Sequence, residues 1–305
     1  MRVAVIDLGT NTTRLLVADV TDGRVDEVSR RTTITRLGEG VDARRRLLPL
    51  PIARVRNCLA DYRRELESLG AERALAVATS AVRDAENGEA FLGEIEWSYG
   101  FTTRLLSGEE EAELTLRGIG GVDGSTLVVD IGGGSTELIG AGLRVSRDLG
   151  SVRLTERYLP SDPPTQSELD ACASAVRSAL PDGDPQRAIG VAGTVTSLGA
   201  IDLGLEEYDR HRVHGHVMTA SAVRELTTTL ASMPLAERRE VPSLDPGRAP
   251  VIVAGAVVLR ELLDHFGLDG IEVSERNILH GAALEAAALP EPVEGDAPPG
   301  AYTCC

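Results

Sequence analysis

The sequence predicts an α/β protein with two mixed β-sheets flanked by helices. Three observations lead to this fold class. A strand–turn–strand pattern occurs twice, helix-type and strand-type segments alternate after each copy, and 305 residues are enough for two domains with separate cores. Ligands bind preferentially in clefts between domains, so the turns of the two copies are expected to face one another across an interdomain cleft.

The duplicated pattern carries the strongest local signal. In the first copy, a β-branched run over residues 3–6 ends at Asp7, and a turn over residues 9–12 leads into a second run over residues 15–20. A third strand is predicted over residues 24–37. The second copy has strands over residues 127–130 and 137–139 around a glycine turn, and its Asp130 lies 123 positions after Asp7. The chain therefore contains one supersecondary unit twice.

The other elements follow from apolar periodicity and from start and stop signals, such as the capping box Ser107-Gly-Glu-Glu110 and the helix start Thr165-x-x-Glu168. Helices are predicted over residues 52–69, 89–99, 107–117, from 165 onward, 248–266 and 276–289, and strands over residues 73–79, 102–106, 188–192 and 271–273. The first domain is expected to span residues 1–120 with the helix at about 276–289, and the second to span residues 121–275. The Pro-, Glu- and Gly-rich segment 290–305 is expected to be a disordered tail.

Composition excludes several functional classes. The chain has 47 acidic and 31 basic residues, for a formal net charge of −16, and every basic residue is Arg. Because these chemistries need a Lys amine, the chain is not a kinase or GTPase with a GxxxxGK[ST] phosphate loop, a pyridoxal-phosphate enzyme or a Schiff-base aldolase. The acidic balance argues against binding of a long nucleic acid, because that needs a clustered basic surface.

The hydrophobic segments and the cysteines argue against a membrane anchor and against a redox or metal role for cysteine. No apolar stretch approaches the roughly 18 residues of a membrane span, and the apolar run near the N-terminus is too short for a signal peptide. We therefore expect a cytoplasmic protein that has no membrane partner. The four cysteines, Cys58, Cys172, Cys304 and Cys305, lack metal-type spacing, and the first two fall on apolar positions of predicted helices. His214 and His216 are assigned to surface or packing roles.

The two turns have the composition of phosphate-binding loops. Glycine and short hydroxyl residues let consecutive backbone N–H groups approach a phosphate closely, and Ser or Thr hydroxyls add donors. An Asp at the end of each strand is suited to holding a divalent cation that bridges to the phosphate. Either turn alone is equally consistent with an ordinary tight turn, but two matched copies favour phosphate binding.

Six segments resemble known families. DLGTNTTRLLV (7–17), DIGGGSTELI (130–139) and VAGTVTSLGAI (191–201) resemble the phosphate and nucleotide motifs of the superfold shared by actin, sugar kinases and heat-shock chaperones. ATSAVRDAENGEAF (78–91), SGEEEAELT (107–115) and DLGSVRLTE (148–156) resemble the exopolyphosphatase and guanosine pentaphosphate phosphohydrolase (Ppx/GppA) family. The resemblance implies two actin-like (ribonuclease H-like) domains, hydrolysis of a terminal phosphoanhydride in polyphosphate or pppGpp with Mg²⁺ or Mn²⁺, and a homodimer.

The resemblance also assigns roles to residues. Glu111 matches the catalytic base, Asp130 and Glu137 match acidic residues at the metal and water side, and Asp7 is a further metal-ligand candidate. Arg83 matches a phosphate-contacting Arg. The phosphate cradle would comprise Thr10, Asn11, Gly132, Gly133, Gly134, Ser135, Gly193 and Thr194, with Arg14 and Arg153 meeting more distant phosphates. The alternative for Glu111 is stabilisation of a helix N-terminus, and for Arg83 an ordinary surface role.

The larger members of this family carry a further C-terminal helical domain, and the resemblance here ends at about residue 289. Short polyphosphate or a nucleotide is therefore favoured over processive hydrolysis of long chains. Three alternatives to an exopolyphosphatase stay open: a pppGpp phosphohydrolase that uses the same residues, a non-catalytic sensor of an alarmone or polyphosphate, and a sugar or carboxylate kinase.

Overall fold

The computed structural model describes residues 1–290. The predicted tail, from residue 291 on, and Cys304 with Cys305 lie outside the described residues. The chain divides into two compact units. Unit 1 comprises Met1–Gly118 and the segment that begins at Ile278, and unit 2 comprises Ile119–Asn277.

Labels of the elements follow chain order. The strands are β1 (Arg2–Leu8), β2 (Thr12–Thr21), β3 (Arg24–Ile34), β4 (Arg73–Ala78), β5 (Thr102–Leu105), β6 (Thr126–Ile131), β7 (Thr136–Gly140), β8 (Leu143–Arg147), β9 (Arg187–Val191), β10 (Val217–Thr219) and β11 (Gly270–Val273). The helices are α1 (Val41–Arg44), α2 (Pro49–Ser68), α3 (Ser80–Arg83), α4 (Gly88–Tyr99), α5 (Gly108–Ile119), α6 (Ser151–Tyr158), α7 (Gln166–Ala179), α8 (Ala192–Asp202), α9 (Arg210–Val213), α10 (Ala220–Ser232), α11 (Leu235–Arg238), α12 (Ile252–Phe266) and α13 (Ile278–Ala288).

Unit 1 is built on a mixed sheet with the strand order β3-β2-β1-β4-β5. β1, β4 and β5 run parallel, whereas β2 and β3 complete an antiparallel meander. Successive side chains of a strand point to opposite faces, so the continuous apolar run of β1 fills two cores. Ala4 and Ile6 pack with residues of α2 and α4, while Val3 and Val5 pack with residues of α13.

Unit 2 repeats this plan with the strand order β10-β11-β9-β6-β7-β8. Strands β6, β9 and β11 are parallel, and β7 and β8 continue the antiparallel meander from β6. Leu127, Val129 and Ile131 of β6 share one core with α7 and α12. Most side chains of α12 are buried. The predicted fold class, two mixed sheets flanked by helices, is confirmed.

The duplication extends to the register of the hairpins. Leu8 pairs with Thr13 in unit 1, and Ile131 pairs with Thr136 in unit 2, again 123 positions apart. Gly9 N donates to Thr12 O at 3.0 Å, and the equivalent bond in unit 2 has the same length. The two turns therefore close with the same hydrogen bond at equivalent positions.

Some predicted boundaries were wrong. The third strand ends at Ile34 rather than at residue 37, since the backbone N–H of Thr35 turns back to bond the first hairpin turn. Helix α12 begins at Ile252 rather than at residue 248, because residues 245–251 form tight turns around Pro250, which has no N–H to donate. Within residues 1–290, no helix has the length and hydropathy needed to span a bilayer.

Candidate active site

In the turn between β1 and β2, the carbonyl groups accept hydrogen bonds from the segment that follows β3, and this sets the direction of the N–H groups. Thr10 O accepts from Gly38 N at 2.8 Å, and Asn11 O accepts from Arg36 N at 2.9 Å. In a trans peptide the C=O and the following N–H point in opposite directions. The N–H groups of Asn11 and Thr12 consequently point away from the segment that follows β3, in the arrangement that binds anions.

The side chain of Asn11 is a second polar group in this turn. It is 6% exposed, and neither its amide nitrogen nor its amide oxygen has a hydrogen-bond partner within residues 1–290. A buried amide without partners costs about 1–3 kcal/mol, so such a group indicates a functional position.

The glycine turn of unit 2 is organised in the same way by the N-terminus of α6. Gly132 O accepts from Ser151 N at 3.0 Å, and Gly133 O accepts from Val152 N at 2.8 Å. The N–H groups of Gly133 and Gly134 therefore point away from α6. Glycine is needed here because a side chain would obstruct close approach of a phosphate to these N–H groups.

Two residues that hold this turn lie in the segment DLGSVRLTE. Arg153 is 5% exposed, and its Nε donates to Gly134 O at 2.7 Å. A Cβ on Gly150 would lie 2.2 Å from Gly133 O, so only glycine allows α6 to approach this closely. Arg153, expected to meet a distant phosphate, thus makes a buried contact with the turn itself.

The last residues of β1 and β2 form a buried ion pair. Asp7 and Arg14 are cross-strand partners in the antiparallel register. Arg14 Nη2 lies 2.7 Å from Asp7 Oδ2, and the two side chains are 15% and 2% exposed. The guanidinium balances the charge of the carboxylate that was a metal-ligand candidate. Arg14, also expected to meet a distant phosphate, is engaged with Asp7.

The equivalent positions of unit 2 hold two carboxylates instead. Asp130 and Glu137 are cross-strand partners, and they are 5% and 0% exposed. Directly opposite side chains lie on one face of the sheet with Cβ atoms about 5 Å apart. Glu137 Oε1 accepts from Ser146 Oγ at 2.7 Å. Like charges brought together in a buried place favour binding of a cation, and this pair is suited to that role.

Glu111 lies in the first turn of α5 and is 9% exposed. Arg83 Nη1 lies 3.5 Å from Glu111 Oε2 and donates to Leu106 O at 2.6 Å. The structure therefore brings together the predicted base and the predicted phosphate-contacting Arg at the carboxyl ends of β4 and β5. Neither side chain is an ordinary surface group.

A capping box sets the start of α5, as the sequence predicts. Glu110 N donates to Ser107 Oγ at 3.2 Å, and Ser107 N donates to Glu110 Oε2 at 2.8 Å. The bond from the Ser107 backbone N–H holds the pKa of Glu110 below its usual value. The capping bonds are made by Glu110, whereas the side chain of Glu111 lies near Arg83.

Gly193 and Thr194 lie at the junction of β9 and α8, where the backbone is strained. Ala192 has a φ of 66°, a left-handed conformation that costs a residue with a Cβ roughly 1–2 kcal/mol. The guanidinium of Arg248 lies directly against the backbone of Gly193, where any Cβ would overlap it. Thr194 is buried and packs against Gly255 of α12.

A cavity of about 680 Å³ in unit 2 lies away from these residues. It is lined by the first residues of β6, β9 and β11, whereas the glycine turn follows the last residue of β6. Ligands of open α/β sheets bind at the carboxyl ends of parallel strands, so the candidate residues lie at the expected edge. His216 bonds Asp202 at 2.6 Å, and His214 Nδ1 accepts from Glu275 N at 3.3 Å, in agreement with packing roles.

A model of the Ppx/GppA phosphatase family matches residues 16–288. The chain belongs to this family. Exopolyphosphatase 2 of Mycobacterium tuberculosis is 40% identical over 94% of this chain and 98% of its own. The crystal structure of an exopolyphosphatase-like protein matches with a TM-score of 0.88 and 34% identity, over 93% of this chain and 98% of the other. The Aquifex aeolicus family member matches with a TM-score of 0.76 and 30% identity, over 94% and 98%.

These comparisons confirm the resemblance and the actin-like fold expected from it. As a Ppx/GppA phosphatase, the protein is a hydrolase that acts on anhydride bonds. Sequence reasoning missed Gly150 and Arg248 as residues of interest. Gly150 stood in a quoted motif without an assigned role, and no local pattern links Arg248 to Gly193, which precedes it by 55 positions.

Proposed function

We propose that this Ppx/GppA phosphatase is a Mg²⁺-dependent exopolyphosphatase that releases terminal phosphate from inorganic polyphosphate, with a preference for short chains. The substrate class is supported by the similarity to exopolyphosphatase 2 of M. tuberculosis over almost the whole chain. The observation that carries the proposal is the buried carboxylate of Glu111 beside Arg83.

In this reaction Glu111 is the general base. It accepts a proton from the attacking water while the water oxygen forms a bond to the terminal phosphorus. The bridging P–O bond breaks, and its electron pair leaves with the shortened chain. Phosphoryl transfer requires mainly positioning and charge stabilisation, for which a held carboxylate and a planar guanidinium are suited. Arg83 would contact the phosphate and orient Glu111.

The backbone turns and Asn11 bind phosphate oxygens. The outward N–H groups of Gly133 and Gly134, and those of Asn11 and Thr12, are donors fixed in place before substrate arrives. Such preorganised donors stabilise developing negative charge without reorganisation. The amide nitrogen of Asn11 supplies one further donor. Ser135, Gly193 and Thr194 complete the cradle expected from the resemblance.

Asp130 and Glu137 fit a divalent cation. Their donor set is two carboxylates, and Mg²⁺ typically takes one or two protein carboxylates together with waters and substrate phosphates. In unit 1, the carboxylate of Asp7 is already paired with the guanidinium of Arg14 at 2.7 Å. We therefore assign Mg²⁺, or Mn²⁺, to Asp130 and Glu137 rather than to Asp7. When bound, the cation would neutralise charge on the phosphoryl oxygens.

The experiment is phosphate release with Mg²⁺ from tripolyphosphate, longer polyphosphate, pppGpp and ATP, with wild type and Glu111→Gln. Gln has the shape of Glu but cannot accept the proton, so kcat should fall by about 10²–10⁴-fold. Glu109→Gln is the matched control, because Glu109 is exposed on the same helical turn, and it should retain kcat. Equal rates in Glu111→Gln and wild type would refute the role of Glu111. A preference for pppGpp would favour the phosphohydrolase alternative, and binding without turnover would favour a sensor.

A further inference from the structure

The segment between β3 and α2 is attached to both phosphate-binding parts of unit 1. At its start, Gly38 N donates to the carbonyl of Thr10 in the first turn at 2.8 Å. Near its end, Arg45 O accepts from Glu86 N at 2.8 Å. Two bonds between the amide of Asn87 and the backbone of Leu47, of 2.8 and 3.1 Å, fix it further. The segment is therefore held between the first turn and residues 86–87, which follow the end of α3 at Arg83.

This segment carries three consecutive arginines, Arg44, Arg45 and Arg46, in a chain whose net charge is −16. All three are exposed. Arg45 lies 3.7 Å from Asp84, the neighbour of Arg83. Arg44 and Arg46 form no ion pair with any residue in the range 1–290. In this chain, where most arginines are matched by carboxylates, such guanidinium groups are available to an anion from solution.

The acidic groups of the same segment do not cancel this charge. Glu39 is paired with Arg54 at 2.7 Å, outside the arginine run. Asp42 lies on α1, two residues before Arg44. Residues 35–48 thus contain four arginines and two acidic residues, and exposed guanidinium groups bind phosphates through two parallel N–H donors.

We propose that Arg44–Arg46 form an outer anion subsite, which binds phosphate groups of the substrate that lie beyond the phosphate at Arg83. This inference rests on the proposed function, because it takes polyphosphate as the substrate. A chain with one charge per phosphate gains affinity with each phosphate that reaches the subsite, and gains nothing from further length. The segment therefore sets which chain length is bound best. Such contacts are exposed, so added salt weakens them.

The test compares KM for tripolyphosphate and for a longer polyphosphate of defined length in Arg44→Gln/Arg46→Gln. An exposed ion pair contributes about threefold to affinity, so removing the guanidinium groups of both Arg44 and Arg46 should raise KM for the longer chain about tenfold. KM for tripolyphosphate should rise no more than about twofold. Arg44→Lys/Arg46→Lys restores the charge and should bring KM for the longer chain back to within about threefold of wild type.

The matched control is Arg24→Gln/Arg64→Gln. These side chains are 75% and 76% exposed and lie at the start of β3 and late in α2, so the variant removes the same charge elsewhere on unit 1. It should leave both KM values unchanged. An equal rise for both substrates in Arg44→Gln/Arg46→Gln, no rise at all, or the same rise in the control would overturn the subsite.

A binding assay separates this inference from the proposed function. Fluorescently labelled polyphosphate is titrated with wild type and each double variant at two salt concentrations, without turnover being required. Suppose that wild type releases no phosphate, and that Arg44→Gln/Arg46→Gln binds polyphosphate more weakly than wild type and with a shallower salt dependence. The proposed activity then fails and the subsite stands. If hydrolysis is confirmed but affinity for the longer chain is unaffected, the subsite fails alone.

Discussion

The contact between α6 and the glycine turn of unit 2 gives a prediction whose size follows from the structure. In Gly150→Ala the new Cβ would lie 2.2 Å from Gly133 O and 2.3 Å from the carbonyl carbons of Gly133 and Gly134. Ordinary contacts of a Cβ begin at about 3.4 Å, so α6 or the turn must move by about 1 Å. Both neighbours are backbone, so no side chain can rotate away to relieve the overlap.

That displacement breaks the bonds that fix the turn. Ser151 N and Val152 N donate to it at 3.0 and 2.8 Å, and Arg153 Nε donates at 2.7 Å. A shift of about 1 Å takes such bonds out of range, and each contributes about 1 kcal/mol. Overpacking adds about 1–3 kcal/mol. Together, the lost bonds and the overpacking should lower the free energy of unfolding by about 4–6 kcal/mol. Phosphate release should fall about 100-fold, because the turn N–H groups leave the position that binds phosphate.

Denaturant unfolding and phosphate release from tripolyphosphate check this prediction together. Gly93→Ala is the control, since a Cβ at Gly93 in α4 meets nothing within 4 Å. That change should stabilise the helix by about 0.5–1 kcal/mol and leave turnover as it is. If Gly150→Ala has the stability and the turnover of wild type, the close approach of α6 does not hold the turn, and the argument is wrong.

Three further predictions concern charge. Arg14→Met should lower the free energy of unfolding by about 3 kcal/mol, measured by denaturation, because it leaves the carboxylate of Asp7 buried without its cation. Mg²⁺ should raise the melting temperature of wild type but not that of Glu137→Gln, and an equal rise in both would exclude Glu137 as a ligand. Glu110→Gln should destabilise the protein by about 0.5 kcal/mol at pH 7 and by progressively less as the pH falls below about 4. The capped carboxylate has a lowered pKa, so its contribution is complete above the unfolded pKa and is lost as the pH falls through the folded pKa. A difference that does not shrink with falling pH would show that Ser107 and Glu110 stabilise α5 without the charge.

Local pattern was sufficient for much of this protein. Apolar runs on either side of a short turn located the two hairpins, and the spacing Thr165-x-x-Glu168 located the start of α7, where both bonds of a capping box are present. Cys58 and Cys172 fell on apolar helix positions and are buried. Each of these features depends on residues that are close in sequence, so the chain itself fixes which groups can meet.

Other site features came from contacts between distant segments. The partner of Gly193 is Arg248, and the neighbour of Arg45 is Asp84, from another element. Even within a hairpin, sequence reasoning treated Asp7 and Asp130 as equivalent, whereas their cross-strand partners are Arg14 and Glu137. Asp7, Asp130 and Glu137 were expected to bind a metal and Arg14 a phosphate. In the structure, Asp7 and Arg14 form an ion pair, whereas Asp130 and Glu137 are two carboxylates on opposite strands. The predicted homodimer and cytoplasmic location stay predictions.

The sequence by itself determined the duplicated hairpins, the glycine turns, the cap of α5 and the family, because period, turn chemistry and motif are properties of neighbouring residues. Tertiary packing set which charge opposes each strand-end Asp, how closely α6 approaches the glycine turn, and the pairing of Arg45 with Asp84. Those outcomes depend on where whole elements pack, and packing sums many weak contacts between residues far apart in the chain, which no local pattern encodes.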